Sequence, residues 1–115
     1  LGGNDGLRGH SPEQLERNLA LIIDQARQRG MSVLLCGMEA PPNLGETYTK
    51  AFRDVYPKLA REKQVALLPF LLEGVAGISS LNQRDGIHPN VDGARRVADL
   101  VWRQLEPLLK ARETR

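Results

Sequence analysis

The stretch Asp85-Gly86-Ile87-His88-Pro89-Asn90 lies between an apolar segment and a long amphipathic segment of this 115-residue chain. An aspartate three residues before a histidine, in a loop shaped by glycine and proline, can hold one ring nitrogen while the other nitrogen faces outward. In nucleophilic hydrolases such a carboxylate sets the imidazole tautomer and stabilises the imidazolium. Taken alone, the pattern also fits a surface turn whose histidine caps a neighbouring group.

A second motif lies at the other end of the chain, where the residues run Leu1-Gly2-Gly3-Asn4-Asp5-Gly6. Glycines let the backbone approach a ligand or adopt positive φ, and an asparagine N–H placed there can donate to a developing oxyanion. The alternative is an ordinary turn rich in Gly, Asn and Asp.

Together the two motifs resemble the third and fifth conserved blocks of the SGNH, or GDSL-type, hydrolase family. The segments Gly2-Gly3-Asn4-Asp5-Gly6-Leu7-Arg8-Gly9 and 85–90 look most like its bacterial arylesterase and acyl-CoA thioesterase/lysophospholipase branch. The resemblance implies an α/β fold, a flavodoxin-like three-layer α/β/α sandwich around a five-stranded parallel sheet. Only the last two strands and the tip of the third are expected in this chain.

The resemblance also implies roles for individual residues. Asp85 and His88 are the expected catalytic pair, and Asn4 is the expected oxyanion donor. The residues expected to bind substrate are Gly3, Asp5, Pro42 and Ile87. No metal ligand is expected, and this chemistry requires no metal or organic cofactor.

The nucleophile is missing from this set, because the family's Gly-Asp-Ser motif is absent. Ser11 is better explained as a helix cap and Ser32 as part of a strand, which leaves Ser79 and Ser80 as weak local rivals. We therefore expect residues 1–115 to be the C-terminal portion of a single SGNH hydrolase domain. The serine and an oxyanion glycine would then lie upstream or on a complementary chain.

Such a portion is expected to leave apolar faces uncovered. At about 25 cal/mol per Å² of apolar area, several uncovered core side chains amount to a large share of a domain's net stability. We expect that the chain does not fold stably alone and is inactive alone.

The expected function of the complete domain is hydrolysis of small acyl esters or thioesters by a Ser-His-Asp triad. The alternative is a non-catalytic α/β interaction module or an inactive fragment derived from such a hydrolase, which the absent nucleophile allows. Aryl esters, acyl-CoA and lysophospholipids all remain open as substrates. The resembling enzymes are often periplasmic or secreted; otherwise a cytoplasmic location is expected.

Composition agrees with one globular domain, since 41% of residues are hydrophobic and 26% are charged. A net charge of +2 is too small to indicate a nucleic-acid partner. No run reaches the roughly 18 apolar residues of a membrane span. The single cysteine, Cys36, excludes an internal disulfide and is expected to be buried.

Local patterns predict the elements between the motifs. Ser11-Pro12-Glu13-Gln14 predicts a helix start with a capping box, and Gly30 predicts its end. Residues 31–36 and 65–69 are apolar runs typical of buried parallel strands. The loop 38–45 follows the first strand at its carboxyl end, where α/β sheets bind ligands, so it is a candidate substrate wall.

The remaining segments are predicted to be helical or irregular. A helix from Thr47 is expected to be kinked or split by Pro57, and its aromatic residues are expected to be core contacts. Residues 70–83 are expected to be irregular or short-helical. Asn90 is expected to cap a last helix whose buried apolar stripe would orient His88. The basic residues Lys110, Arg112 and Arg115 are expected near that helix's end.

Overall fold

The computed structural model describes residues 1–113. They fall into two compact units, the first covering Leu1–Pro69 and the second beginning at Phe70. The first unit contains helix α1 (Gly3–Leu7), helix α2 (Pro12–Gln28), strand β1 (Leu34–Cys36), a 3₁₀ helix (Pro42–Leu44), helix α3 (Glu46–Lys63) and strand β2 (Ala66–Leu68). The second unit contains a 3₁₀ helix (Ser79–Leu81) and helix α4 (Val91–Glu113).

Strands β1 and β2 form a two-stranded parallel sheet in which Leu35 is opposite Leu67. The predicted strands are confirmed but shorter than their apolar runs. The pairing extends past β1, because the Gly37 N–H donates to the Leu68 carbonyl at 2.8 Å. A side chain on Gly37 would overlap the Pro69 carbonyl, so the chain needs a glycine here. Cys36 is half-buried, and its burial raises the pKa of the thiol.

The predicted start of α2 is confirmed. The Gln14 N–H donates to the Ser11 hydroxyl oxygen at 3.2 Å, and Pro12 occupies the first turn. The Ser11 hydroxyl in turn donates to the Glu13 carboxylate at 2.9 Å. The helix ends at Gln28, and Gly30 follows with a φ of 75°.

Helix α3 packs against α2 and the sheet around the core of the first unit. The members of this core are Leu15, Leu19, Ile23, Leu35, Ala40, Phe52, Val55, Tyr56 and Leu59. Pro57 lies inside α3, which is continuous from Glu46 to Lys63, so the predicted split is wrong. The alternative, a kink at Pro57, stays a prediction. The buried residues on both sides of Pro57 hold the helix in the core, which offsets the hydrogen bond that a proline removes.

Helix α4 begins where Asn90 was predicted to cap it, since the Gly93 N–H donates to Asn90 Oδ1 at 2.9 Å. Its apolar stripe is half-buried at Val97, Val101, Leu105 and Leu108, so the predicted burial is met only in part. Trp102 is 50% exposed and Gly93 is the one buried residue of α4. The 3₁₀ helix Ser79–Leu81 contacts α4 near its start, where Gly93 is buried, whereas the later turns keep part of the stripe in contact with solvent.

The last turns of α4 contain a proline and the basic residues that were expected there. Pro107 lies inside the helix, which continues to Glu113. Lys110 and Arg112 lie in its last turn, and Arg115 lies outside the described residues. Among residues 1–113, no helix is both long and apolar enough to cross a membrane.

Candidate active site

A hydrogen bond joins the two residues of the predicted catalytic pair. His88 Nδ1 lies 2.6 Å from Asp85 Oδ2. An ionised carboxylate only accepts hydrogen bonds, so Nδ1 carries the proton and donates. The imidazole side chain is 68% exposed, and within residues 1–113 its Nε2 has no hydrogen-bond partner. The ring is therefore fixed through one nitrogen and open to a reactant at the other.

The Asp85 carboxylate is held by two further donors. Its Oδ1 accepts the N–H of Ile87 at 2.9 Å and the N–H of His88 at 3.0 Å. Gly86 has a φ of 71°, which turns the backbone so that both N–H groups face the carboxylate. The hydrogen bond from the His88 ring, followed by these two N–H groups, lowers the pKa of Asp85 to about 2. Asp85 is therefore charged throughout the pH range in which a histidine titrates.

The loop that carries this pair is closed on itself by Gln83. The Gln83 N–H donates to the His88 carbonyl at 2.7 Å, and the Gly86 N–H donates to the Gln83 carbonyl at 2.9 Å. The Gln83 side chain also donates to the Pro89 carbonyl at 3.2 Å. These bonds set the position of the His88 backbone independently of its side chain.

Asn82 anchors the loop to the preceding segment, a role that the sequence analysis missed. Its side chain is 8% exposed, and Nδ2 donates to the Val75 and Ile78 carbonyls, both at 2.8 Å. Asn82 also forms an antiparallel bridge with Pro89. The one sequence signal for this role was a polar residue directly after the apolar Leu81. The partners of Asn82 could not be predicted, because they are backbone carbonyls and the sequence does not identify which carbonyls are in reach.

Asn90 supplies the second anchor, in addition to capping α4. Its N–H donates to the Leu81 carbonyl at 3.0 Å, and its Nδ2 donates to the Ser80 carbonyl at 2.9 Å. Gly93 packs so closely on the Leu81 carbonyl that a side chain there would overlap it. The start of α4, rather than burial of its stripe, therefore fixes the loop.

The predicted oxyanion donor lies in the first unit. Asn4 is exposed on α1, a short helix rather than the open turn that the glycines suggested. Its carbonyl accepts the Arg8 N–H at 3.0 Å. Within residues 1–113 its side chain has no hydrogen-bond partner, so the carboxamide is available to donate to a ligand.

Asp5, a predicted substrate-binding residue, has a partner in its own segment. His10 Nδ1 lies 3.2 Å from Asp5 Oδ1, and the His10 N–H donates to the Asp5 carbonyl at 2.9 Å. His10 is exposed, and its two contacts with Asp5 close this segment. The Tyr48 hydroxyl contacts the His10 carbonyl as well, which the sequence analysis did not anticipate.

The remaining predicted binding residues lie on two different segments. The loop 38–45 runs beside α1, since a side chain on Gly3 would lie 3.5 Å from Met38 Cε and one on Gly6 would lie 3.3 Å from Ala40 Cα. Pro42 begins the exposed 3₁₀ helix of that loop. Ile87 is exposed next to His88. The structure thus forms two groups: Asn4, Gly3 and Asp5 beside the Pro42 loop, and Asp85 with Ile87 and His88.

Neither local serine is bonded to the histidine. The Ser79 and Ser80 hydroxyls make no hydrogen bond with His88 within the described part of the chain. The Ser80 carbonyl accepts a hydrogen bond from the Asn90 side chain. Across residues 1–113, no group of three or more His, Cys, Asp or Glu side chains could hold a metal ion.

The second unit thus carries a histidine oriented by an aspartate, and the first unit carries an exposed asparagine on a glycine-rich segment. Residues 1–96 match the model of the GDSL-like lipase/acylhydrolase family, and the chain belongs to that family. Esterase TesA of Pseudomonas aeruginosa is 50% identical over 109 residues, which cover 95% of this chain and 54% of that protein.

Two further similarities agree with this assignment. Thioesterase 1/protease 1/lysophospholipase L1 of Escherichia coli K12 is 45% identical over 109 residues, covering 95% of this chain and 52% of that protein. The solved structure of a psychrotrophic esterase EstA from Pseudoalteromonas sp., inhibited by monoethylphosphonate, matches with a TM-score of 0.89 at 28% identity. That match covers 96% of this chain and 60% of the solved chain.

These similarities confirm the predicted family and the predicted fold class, an α/β SGNH hydrolase fold with a parallel sheet. The described residues contain two of its strands. The chain spans about half the length of the curated relatives it matches.

We predict that replacing Asn82 with alanine destabilises the loop of the catalytic pair. The substitution removes two side-chain hydrogen bonds, to the Val75 and Ile78 carbonyls, although each carbonyl keeps a backbone N–H donor. At about 0.5–1.5 kcal/mol for each hydrogen bond, the expected cost is about 1–3 kcal/mol of unfolding free energy. Urea denaturation of the active protein that includes the serine-bearing segment measures the loss, and amide exchange at Gln83 should accelerate. Asn18→Ala, at an exposed position of α2, is the matched control and should change neither. Equal stability of the Asn82 and Asn18 variants would contradict the anchoring role.

We predict that the Asp85 carboxyl titrates near pH 2 in the folded protein. Because this pKa lies below the unfolded value of about 4, the carboxylate stabilises the fold above that value. The stabilisation is lost as the pH falls from about 4 through about 2. Carboxyl carbon NMR measures the midpoint. The His88→Gln variant lacks the imidazole hydrogen bond, which is the largest cause of the lowered pKa. The titration midpoint of Asp85 should therefore rise in this variant. A wild-type midpoint near 4 would show that the ring does not hold this carboxylate.

Proposed function

We propose that this chain supplies the acid-base pair and one oxyanion donor of a hydrolase that cleaves carboxylic esters or thioesters. The observation that carries the proposal is the 2.6 Å hydrogen bond from His88 Nδ1 to Asp85, which leaves Nε2 exposed. Family membership supports the reaction class. The names of its relatives, an esterase and a thioesterase/lysophospholipase, support small acyl esters and thioesters as the substrates.

His88 has two successive tasks in the proposed reaction. Its Nε2 takes the proton of a serine hydroxyl while the serine oxygen bonds to the acyl carbon. The imidazolium then gives that proton to the leaving alcohol or thiol as the bond to the acyl carbon breaks. Water repeats the sequence on the acyl-enzyme, which releases the acid and restores the serine. Asp85 remains ionised and stabilises the imidazolium in both halves.

Asn4 is the proposed donor to the oxyanion that forms when the acyl carbon becomes tetrahedral. Its exposed carboxamide, with no partner among the described residues, supports this role. A preorganised donor of this kind stabilises the transition state more than the substrate. Further donors are proposed to be the serine N–H and a glycine N–H from outside this chain. Gly3, Asp5, Pro42 and Ile87 are proposed to line the substrate.

The serine itself is proposed to lie on an N-terminal segment or on a complementary chain. Residues 1–115 would then be the C-terminal portion of one hydrolase domain, inactive when alone. The half-length match to the relatives supports this proposal. Periplasmic or secreted location, with a cytoplasmic location as the alternative, stays a prediction, as does the absence of a nucleic-acid partner.

A serine-reactive fluorophosphonate probe tests where the nucleophile lies. The phosphonate inhibition of the Pseudoalteromonas esterase supports the choice of probe. Intact masses would be taken of every polypeptide in the active material. We expect the label on a segment other than this 12.8 kDa chain. A label on residues 1–115 would assign the nucleophile to a serine such as Ser79 or Ser80, and no label on any polypeptide would favour the non-catalytic module.

We predict that Asn4→Ala in the active protein lowers kcat by roughly 10²–10³, because one oxyanion donor is lost. His88→Gln should abolish turnover while substrate binding persists, since the general base is lost. Asn18→Ala makes the same chemical change on the exposed face of α2 and should leave kcat unchanged. Steady-state kinetics on an aryl ester and an acyl-CoA measure all three variants. A loss of less than a few-fold in folded Asn4→Ala would show that Asn4 is not an oxyanion donor.

A further inference from the structure

One face of α3 carries three aromatic residues at successive turns, Tyr48, Phe52 and Tyr56, which we call the aromatic ladder. Neighbouring ring centroids lie 6.2 Å and 6.1 Å apart. Residues four apart lie on the same side of a helix, so the three rings form one column. Phe52 is 0% exposed and Tyr56 is 1% exposed, so the packing of the core fixes the position of the column.

The Tyr56 end of the ladder holds the chain just before Asn4. The Tyr56 hydroxyl donates to the Leu1 carbonyl at 2.8 Å. Gly2 follows with a φ of 102°, and a side chain there would overlap the Tyr56 oxygen. Burial raises the pKa of the Tyr56 phenol, so it keeps its proton and donates at any ordinary pH. Tyr56 thus fixes where the backbone enters α1.

The Tyr48 end holds the chain just after Asn4. The Tyr48 hydroxyl donates to the His10 carbonyl at 2.5 Å and lies 3.5 Å from the Asp5 carbonyl. The His10 N–H in turn donates to Asp5. Between the two ends, a side chain on Gly6 would lie 3.1 Å from Phe52 Cζ, so the ring supports α1 directly.

The length of α1 explains why it needs these supports. It has five residues, whereas isolated helices shorter than about 12–15 residues are marginal in water. Its position therefore depends on tertiary contacts. Asn4 lies on this helix. In sequence it falls between Leu1 and His10, whose carbonyls accept the two tyrosine hydrogen bonds. The core of the first unit thus sets the position of an exposed carboxamide through two hydrogen bonds.

We propose that the aromatic ladder positions Asn4 for the reaction, with Tyr56 and Tyr48 as positioning residues that act through Asn4. This inference rests on the proposed function. A carboxamide displaced by about 1 Å is a much weaker oxyanion donor, since misplacements of that size can cost about 10²-fold in rate. The substrate-binding contribution of the ladder is expected to be small, because neither hydroxyl needs to touch the substrate.

The test is a double-mutant cycle in the active protein that includes the serine-bearing segment. Tyr56→Phe keeps the ring and removes the hydrogen bond to Leu1. We expect it to lower kcat by about 10-fold, with KM changed by less than about 2-fold. In the Asn4→Ala background the same substitution should change kcat by less than about 2-fold, because the group it positions is gone.

Val55→Ala is the matched control, since Val55 belongs to the same core and the same helix but makes no hydrogen bond to residues 1–10. It should lower the midpoint of thermal unfolding and leave kcat unchanged. If Tyr56→Phe behaves like this control, or lowers kcat by the same factor in both backgrounds, the positioning role is wrong while the proposed function stands.

Two further outcomes also decide the question. If Asn4→Ala leaves kcat unchanged in an active enzyme, the oxyanion assignment fails and the ladder's role fails with it. If Tyr56→Phe does not fold, Tyr48→Phe is measured in the same cycle, because its hydroxyl lies at the less buried end of the ladder. Loss of kcat with Tyr48→Phe, absent in the Asn4→Ala background, supports the inference; an unchanged kcat overturns it.

Discussion

The Asp85 carboxylate is the group on which the organisation of the second motif depends. One oxygen accepts two backbone N–H groups and the other accepts the imidazole, so a single charge fixes both the turn and the ring. The same three donors lower the pKa of Asp85 to about 2. Charge-assisted hydrogen bonds are shorter and stronger than neutral ones. An exposed loop can therefore hold a histidine in one orientation without burying it.

The protein supports its two motif segments in different ways. The 85–88 turn is anchored by the asparagines Asn82 and Asn90, whose side chains satisfy backbone carbonyls of the preceding segment. The α1 segment is instead fixed by the hydroxyls of Tyr48 and Tyr56, which donate to the His10 and Leu1 carbonyls on either side of the helix. The tyrosine rings pack in the core of the first unit. Both solutions follow from the same constraint, because backbone polar groups that leave water must find partners.

Much of the fold could be predicted because its signals are local. Ser11 and Asn90 cap helices through atoms three residues away, and the two apolar runs pair as parallel strands. The glycine motif was harder, since Gly3–Leu7 forms a helix that glycine content argues against. Pro57 likewise argued against a continuous helix, yet α3 runs through it. Packing against the core outweighs the local preference in both places.

The sequence by itself determined the family, because the resemblance depends on residue types at short, fixed spacings within two motifs. The fold class and the residues proposed for the reaction followed from that resemblance. Only the tertiary structure decided which groups hold those residues. Asn82, Tyr48 and Tyr56 act on backbone carbonyls, and every residue has a carbonyl, so no residue pattern identifies the partner. The partial exposure of the α4 stripe was equally a tertiary matter, since burial depends on the surface that packs against it.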